Sequence, residues 1–103
     1  MKAEVYFNHI LAGYLERVDG NYCFYYTESY LQSIHPAISF SFPKQPKIFQ
    51  SSTLFPFFSG LLSEGVNKKI QCKTLQIDEK DEFTHLLKTA HHDTIGAITV
   101  QEL

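Results

Sequence analysis

Residues 2–26, KAEVYFNHILAGYLERVDGNYCFYY, contain three apolar runs that are separated by two turn signals. Polar and apolar side chains alternate along the first run with a period of two, which predicts a β-strand. Asn8 tolerates a positive φ and predicts a tight hairpin with His9, and the Asp-Gly-Asn run at 19–21 predicts a second turn. Gly13, inside the second run, indicates a bulge or a close contact with a neighbouring strand. We therefore expect a three-stranded meander with strands at residues 2–7, 10–18 and 22–26.

Two further strands and a short helix are predicted outside this stretch. Thr27 is a good N-cap for a helix of one or two turns. Residues 37–42, AISFSF, alternate like the first strand and predict a fourth strand, with a polar loop after it at 44–53. Residues 96–100, GAITV, predict a last, short strand.

Three more helices are predicted between residues 56 and 90. Pro56 suits the first turn of a helix, where its missing N–H is not needed. Asp78 is a good N-cap for the last helix, and Asp81 three residues later resembles the second half of a capping box. The helices are expected at 57–63, 66–75 and after 78, with apolar stripes that comprise Phe57, Phe58, Leu61 and Leu62, then Val66 and Ile70, then Phe83, Leu86, Leu87 and Ala90.

The order of these elements predicts an α+β fold, because the strands come first, the helices follow and one strand comes last. The sheet is expected to be small and mostly antiparallel, an N-terminal three-stranded meander plus later strands, packed with three to four helices. The 103 residues are close to the commonest size of a domain, and they predict a single domain spanning residues 1–103. A chain of this length buries a core without needing disulfides or a metal.

The composition argues against several classes of protein. The formal net charge is −2, with nine basic and eleven acidic residues, which disfavours nucleic-acid binding through bulk electrostatics. Glu4 and Asn8 interrupt the N-terminal segment where a signal peptide needs an apolar stretch, and no apolar run reaches transmembrane length. We therefore expect a cytoplasmic protein without direct contact to nucleic acid or membrane, in which Cys23 and Cys72 are reduced.

The residues that carry catalysis or bind metals in other proteins follow no known motif here. His91-His92-Asp93 is the densest cluster, but adjacent residues rarely point at one ion, and CxxC spacing is missing. Cys23 lies in an aromatic strand, where burial and inertness are expected. The sequence contains neither a GxSxG elbow nor a GxxxxGK[ST] phosphate loop. We therefore predict a protein that is not an enzyme and needs no cofactor or metal, while a metal protein built around residues 91–93 stays open as an alternative.

Five motifs in this sequence resemble, in the same order, the N-terminal subdomain of HipA-type toxin kinases. The resemblance covers nearly the whole chain, and the PFFxxLLxEG motif is the most specific part of it. One departure is Ser63, where the family has a proline. The motifs here are GYL at 13–15; FYY at 24–26 with YL at 30–31; SFSFP at 39–43; PFFSGLLSEG at 56–65 with Lys68; and Phe83 with LL at 86–87 and DTIGA at 93–97.

The resemblance implies an antitoxin. HipA-type kinases continue into a longer domain with a Gly-rich loop and a catalytic aspartate, and the sequence contains neither motif. The chain is therefore similar to the HipS antitoxins of HipBST toxin–antitoxin systems, which are separate proteins. By that resemblance it binds a HipT-type toxin kinase next to its N-lobe and nucleotide site and suppresses its activity. A HipB-type helix-turn-helix repressor is the further partner expected in a larger complex. The alternative is an assembly module that bridges kinase and repressor without inhibiting catalysis.

The corner after the PFFxxLL helix is the expected contact with the kinase. In the fused relatives this subdomain packs against the kinase N-lobe, so the corner is expected to face the Gly-rich loop. Its basic residues otherwise form a solvated helix face, which stays the structural alternative. The final strand, 98–100, is a second candidate surface. The predicted partner-binding residues are Ser63, Glu64, Gly65, Val66, Asn67 and Lys69.

Overall fold

The computed structural model describes residues 1–61, 73, 81–89 and 97–103. Within these residues the strands form one antiparallel sheet, in the order β4-β3-β2-β1-β5. Helices flank the later strands, so the α+β prediction is confirmed. The elements are β1 (Lys2–Phe7), β2 (Ile10–Val18), β3 (Asn21–Tyr26), α1 (Glu28–Leu31), β4 (Phe49–Ser51), α2 (Pro56–Ser59), α3 (Glu82–Thr89) and β5 (Ile98–Glu102).

The N-terminal meander forms as its turn residues predict. Asn8 and His9 have φ values of 49° and 68°, and they join β1 to β2. Asp19 and Gly20 have φ values of 52° and 79°, and they join β2 to β3. Asparagine, aspartate and glycine adopt this left-handed region with the smallest steric cost, which is why the hairpins form at these residues.

Gly13 lies at a bulge and in close contact with a neighbouring strand, the two features that a glycine inside β2 indicated. The register of β1 against β2 shifts between Val5 and Tyr6, so β2 contains a bulge at this point. A Cβ atom on Gly13 would lie 2.3 Å from the carbonyl oxygen of Tyr25 and 3.0 Å from the ring of Phe24. Every other residue therefore collides with β3 at this position, and only glycine permits the observed pairing.

The core lies on one face of the sheet, where alternate strand residues point. Ala3 and Val5 from β1, Leu15 from β2 and Phe24 from β3 are fully buried there. Helix α3 covers part of this face with Phe83, Leu86 and Leu87, which are buried as its periodicity predicted. Full burial of one such side chain contributes about 1.5–3 kcal/mol, so this face supplies most of the apolar stabilisation.

The prediction of a fourth strand at 37–42 is wrong. The N–H of Phe42 donates to the carbonyl of Ser39 at 3.1 Å, which closes a turn with Phe40 at its tip. The Tyr26 hydroxyl accepts from the N–H of Ile38 at 3.1 Å and donates to the carbonyl of Phe42. A side chain thus satisfies the two backbone groups that a neighbouring strand would pair with. Alternation cannot distinguish such a turn from a strand, because Ile38 and Phe42 are buried in both.

Two further boundaries differ from the prediction. The polar loop expected at 44–53 contains β4, whose Phe49 pairs with Phe24 of β3. A strand of three residues is too short to show a period, so the sequence pattern missed it. Helix α3 begins at Glu82, and Asp81 rather than Asp78 caps it, because Asp81 accepts from the backbone N–H and the hydroxyl of Thr84. Position 78 itself lies outside the described residues.

Helix α1 has the predicted cap, since the hydroxyl of Thr27 accepts from the backbone N–H of Tyr30 at 3.1 Å. Helix α2 spans Pro56–Ser59 rather than the predicted 57–63, since residues 60 and 61 form a turn. Of the stripe predicted there, Phe58 is fully buried while Phe57 is half-buried. Most of the helix predicted at 66–75 lies outside the described residues, although Lys73 is helical and exposed.

Strands β1 and β5 bring the two ends of the chain together. Ala3 pairs with Glu102, and the backbone N–H of Leu103 donates to the carbonyl of Lys2 at 3.1 Å. The N–H of Arg17 donates to the carbonyl of Met1 at 2.9 Å, which fixes the first residue against β2. Residues 1 and 103 therefore lie close together at one end of the sheet.

The bridge made by the Tyr26 hydroxyl predicts the stability of a Tyr26→Phe variant. The variant leaves the N–H of Ile38 and the carbonyl of Phe42 buried without that partner, so its free energy of unfolding should fall by about 1–3 kcal/mol. Urea denaturation measures the change. Tyr14→Phe, on the outer face of the sheet, is the control and should stay within about 0.5 kcal/mol of the wild type. Equal stabilities of the two variants would contradict the structural role of the bridge.

Candidate partner-binding surfaces

The predicted docking corner is reached from helix α2. Its residues lie outside the described part of the structure, so their role in binding stays a prediction. These residues are Ser63, Glu64, Gly65, Val66, Asn67 and Lys69. The structure does describe the helix that leads into this corner. The contacts of α2 can therefore be given, although those of the corner cannot.

Helix α2 is held by a cluster of aromatic rings. The ring of Phe58 lies 5.8 Å from that of Phe24 and 5.7 Å from that of Phe42, measured between centroids. Phe55, at the N-terminal end of the helix, is also buried and packs edge-on against Phe42 at 5.1 Å. Such pairs add about 0.5–1.5 kcal/mol each beyond the area they bury. These rings hold helix α2 against the core, as the apolar stripe predicted there indicated for Phe58.

The turn at 39–42 presents an apolar side chain to solvent. Phe40 at its tip has a relative exposure of 107%, whereas Ile38 and Phe42 on either side are buried. The Ser39 hydroxyl accepts from the backbone N–H of Ser41 at 3.1 Å, in addition to the backbone bond that closes the turn. The strand interpretation placed all three apolar side chains on one face, so it missed that the middle one points outward.

The backbone before the turn is held by one tyrosine and one lysine. The hydroxyl of Tyr30 donates to the carbonyl of Pro36 at 2.7 Å, and its ring stacks on that of Tyr26 with an interplanar angle of 3°. The ammonium group of Lys44 donates to the carbonyls of Ser33 and His35 at 2.8 and 2.7 Å. The segment between α1 and β4 is therefore ordered by side chains rather than by regular secondary structure.

Strand β5, the second predicted surface, lies at an edge of the sheet. It pairs with β1 on one side, and in the described part of the chain the sheet order places no strand on its other side. Ile98 and Val100 are buried in the core, while Gln101 and Glu102 are exposed. The edge therefore offers backbone groups and polar side chains rather than an apolar surface.

The outer face of the sheet carries polar and aromatic side chains. The ammonium group of Lys2 lies 4.4 Å from the ring centroid of Tyr14, and that ring lies 5.6 Å from the ring of Tyr25. The Cys23 thiol faces the carboxylate of Glu16 at 3.8 Å. Burial and then the negative charge of Glu16 raise the pKa of the Cys23 thiol, so it stays protonated at neutral pH. The raised pKa agrees with the predicted inertness of Cys23, whereas the predicted burial is only partial, because the residue lies on the outer face of the sheet.

The candidate metal ligands are not assembled where the structure describes them. His85 is fully buried in α3, and His91, His92 and Asp93 lie outside the described residues, as does Cys72. Within the described ranges, no group of three histidine, cysteine, aspartate or glutamate side chains is placed to hold a metal ion. In those ranges there is also no helix of sufficient length and apolar character to cross a bilayer.

An ion pair connects the sheet to helix α3. The guanidinium of Arg17 in β2 lies 3.2 Å from a carboxylate oxygen of Asp81, and the two side chains are 27% and 35% exposed. Partial burial by itself would raise the pKa of Asp81. The hydrogen bonds from Thr84 and the charge of Arg17 outweigh that effect, and they hold the pKa below the ordinary aspartate value.

These surfaces belong to a fold that is found in known proteins. The HipA N-terminal domain family matches residues 3–101, which is nearly the whole chain. The chain belongs to this family. The family links the chain to toxin–antitoxin systems, as the sequence motifs indicated.

A solved structure agrees with membership of the HipA N-terminal domain family, and a curated relative is also similar in sequence. An uncharacterized protein of Haemophilus influenzae is 40% identical over 65 residues, which is 63% of this chain and 60% of that relative. The chain thus matches less than two thirds of that relative's length. A solved structure described as the N-terminal domain of HipA toxin superposes with a TM-score of 0.73 and 28% identity. That likeness covers 98% of this chain and 92% of the solved one.

The Arg17–Asp81 pair and the cap predict how acid affects stability. Because the folded-state pKa of Asp81 is lowered, its contribution is fully present above the ordinary aspartate value of about 4, and it is lost as the pH falls through the lower folded-state value. At neutral pH, Asp81→Ala should lower the free energy of unfolding by about 1 kcal/mol, mainly through the lost cap. The difference from the wild type should shrink below pH 4, measured by urea denaturation from pH 7 to pH 2.5.

Asp81→Asn is the matched control, since asparagine still caps a helix but carries no charge. It should retain most of the stability at neutral pH and lose the acid-dependent part. An Asp81→Ala deficit of the same size at every pH would contradict the assigned role of the charge.

Proposed function

We propose that this HipA N-terminal domain is an antitoxin that binds a toxin kinase of the HipA kind and suppresses its activity. The observation that carries the proposal is the likeness to the N-terminal domain of HipA toxin over 98% of the chain. In this proposal the domain works in the cytoplasm as a binding protein rather than as an enzyme.

The physical basis of the proposal is shape. In this proposal, the fold shared with a toxin's own N-terminal domain gives this domain a surface that fits the rest of such a toxin. The resemblance between the sequences implies that this neighbour is the kinase N-lobe. Binding then needs no new recognition mode, because the isolated domain presents the same face as a fused one.

The proposed contact is the corner at 63–69, docked beside the nucleotide site. Helix α2 is its base, and the buried rings of Phe55 and Phe58 hold that helix in place. A fixed base lowers the entropy that is lost when a short segment docks. In this position the corner blocks ATP directly or holds the Gly-rich loop of the kinase in a form that does not bind ATP.

The proposal predicts that a gene for a HipA-kind kinase lies beside the gene for this protein, and the test uses that kinase. The purified kinase is assayed for autophosphorylation with and without the purified domain, at low and high ATP concentrations. Suppression that weakens as ATP rises supports docking at the nucleotide site. Stoichiometric binding without suppression would instead identify the domain as an assembly module between kinase and repressor. Absence of binding would reject both.

Two substitutions in the corner test the proposed contact. Val66→Asp combined with Lys69→Glu introduces a carboxylate at an apolar contact and reverses one charge. The dissociation constant for the kinase should rise about tenfold or more, because a central interface residue contributes at least about 1.4 kcal/mol. Isothermal titration calorimetry measures the affinity, and rescue of growth in cells that express the kinase measures suppression.

Lys88→Glu is the matched control, because Lys88 is an exposed lysine on α3, away from the corner in sequence. The control should bind within about twofold of the wild type, as expected for a charge that is exposed outside an interface. Unchanged affinity and growth rescue in the double variant would show that the corner is not the contact.

A further inference from the structure

Phe40 has the largest relative exposure of the exposed apolar side chains in the described part of the structure, at 107%. Turn tips are usually occupied by glycine, asparagine, aspartate or serine, which cost nothing in solvent. Phe40 instead places a complete aromatic ring in water, and Pro36 and Pro43 add exposed apolar surface on the same segment. The turn is therefore unusual in composition as well as in exposure.

The backbone under Phe40 is fixed before any partner binds. The hydroxyl of Tyr26 holds Ile38 and Phe42 on the two sides of the turn, and the bond from Phe42 to Ser39 closes it. Burial raises the pKa of Tyr26, although the hydrogen bond with Ile38 opposes this, so the hydroxyl keeps the proton that it donates to Phe42. A rigid aromatic anchor loses little conformational entropy on binding, and such anchors dominate interface energies.

The turn is attached to the helix that leads into the proposed docking corner. The ring of Phe42 lies 5.1 Å from that of Phe55, 6.0 Å from that of Phe57 and 5.7 Å from that of Phe58. Helix α2 and the turn thus share one anchor, Phe42. The position of the turn relative to helix α2 is therefore fixed by the packing of Phe42.

The charge around the turn restricts the kind of partner. Residues 33–50 contain Lys44 and Lys47 but no aspartate or glutamate, although the whole chain carries a net charge of −2. A shallow depression of about 670 Å³ lies beside Phe40, and its lining includes Pro36, Ile38 and Pro43. The complementary surface is an apolar cleft with acidic side chains at its rim, because opposite potentials across an interface favour association.

We propose that Phe40 is a second anchor for the toxin kinase, inserted into an apolar cleft of the kinase with an acidic rim. This inference rests on the proposed function, but it concerns a different segment from the corner at 63–69. It follows from the exposed ring, the hydrogen bonds under the turn, the shared contact with α2 and the local excess of positive charge.

The test is calorimetric titration of the same kinase with the wild-type domain, Phe40→Ala and a control. Phe40→Ala should raise the dissociation constant about tenfold to a hundredfold, as expected for a central aromatic anchor. Its thermal midpoint should stay unchanged, because the ring is solvent-exposed and its removal leaves no cavity. Phe40→Leu, which keeps an apolar side chain, should recover part of the affinity.

Val18→Ala is the matched control. Val18 is also an exposed apolar residue, at 56%, but it lies at the β2–β3 turn, at the opposite end of β3 from Tyr26. It should leave the affinity within about twofold of the wild type, because a surface substitution outside an interface changes little.

The outcomes separate the two proposals. A wild-type domain that does not bind the kinase overturns the proposed function, and the Phe40 anchor with it. Wild-type binding together with unchanged affinity of Phe40→Ala overturns the anchor alone. Loss of a homodimer in Phe40→Ala without loss of kinase affinity, seen by analytical ultracentrifugation, would assign the ring to a contact between copies and also overturn the anchor.

Discussion

Phe24 connects four segments of the chain through its ring. From the centre of β3 it contacts Phe42 in the turn, Phe49 in β4 and Phe58 in α2, at centroid distances of 4.8, 6.5 and 5.8 Å. The Phe24 ring reaches this position because Gly13 on the neighbouring strand has no Cβ. A Cβ atom on Gly13 would lie only 3.0 Å from the outermost carbon of the Phe24 ring. A larger residue at either position would displace the edge strand, the turn and the helix together, since interiors are packed closely.

The local features of the fold could be predicted because they depend on neighbouring residues. Asn8 and Asp19 specify the meander through positive φ values, and Phe83, Leu86 and Leu87 specify α3 through their spacing. The features that could not be predicted depend on residues that are distant in the sequence. Whether 37–42 is a strand or a turn is decided by the Tyr26 hydroxyl, and β4 forms because Phe24 offers its Phe49 an apolar neighbour. Neither interaction leaves a period in the sequence.

The candidate surfaces also include features that the sequence predicts and features that it does not. The aromatic composition after Pro56 indicated a buried base, and Phe58 is buried as expected. Phe40 stands between Ile38 and Phe42 in an alternating segment, and both of those residues are buried, but Phe40 points into solvent. Exposure is a property of the folded chain, so an aromatic anchor and a core residue have identical sequence signals. The corner at 63–69 was predicted from a resemblance between families, because its residue types alone fit a solvated helix face equally well.

The pairing of β1 with β5 has a consequence for how the domain is connected. Lys2 and Leu103 are joined by a backbone hydrogen bond, so residues 1 and 103 lie close together at the end of the sheet that carries the β2–β3 turn. The Phe40 turn is hydrogen-bonded to the side chain of Tyr26, which lies at the other end of β3. A linker of a few glycines could therefore close the chain into a ring, and new termini could be opened elsewhere without rearranging the sheet. Tags or fused proteins at either end would share one exit, directed away from the aromatic turn.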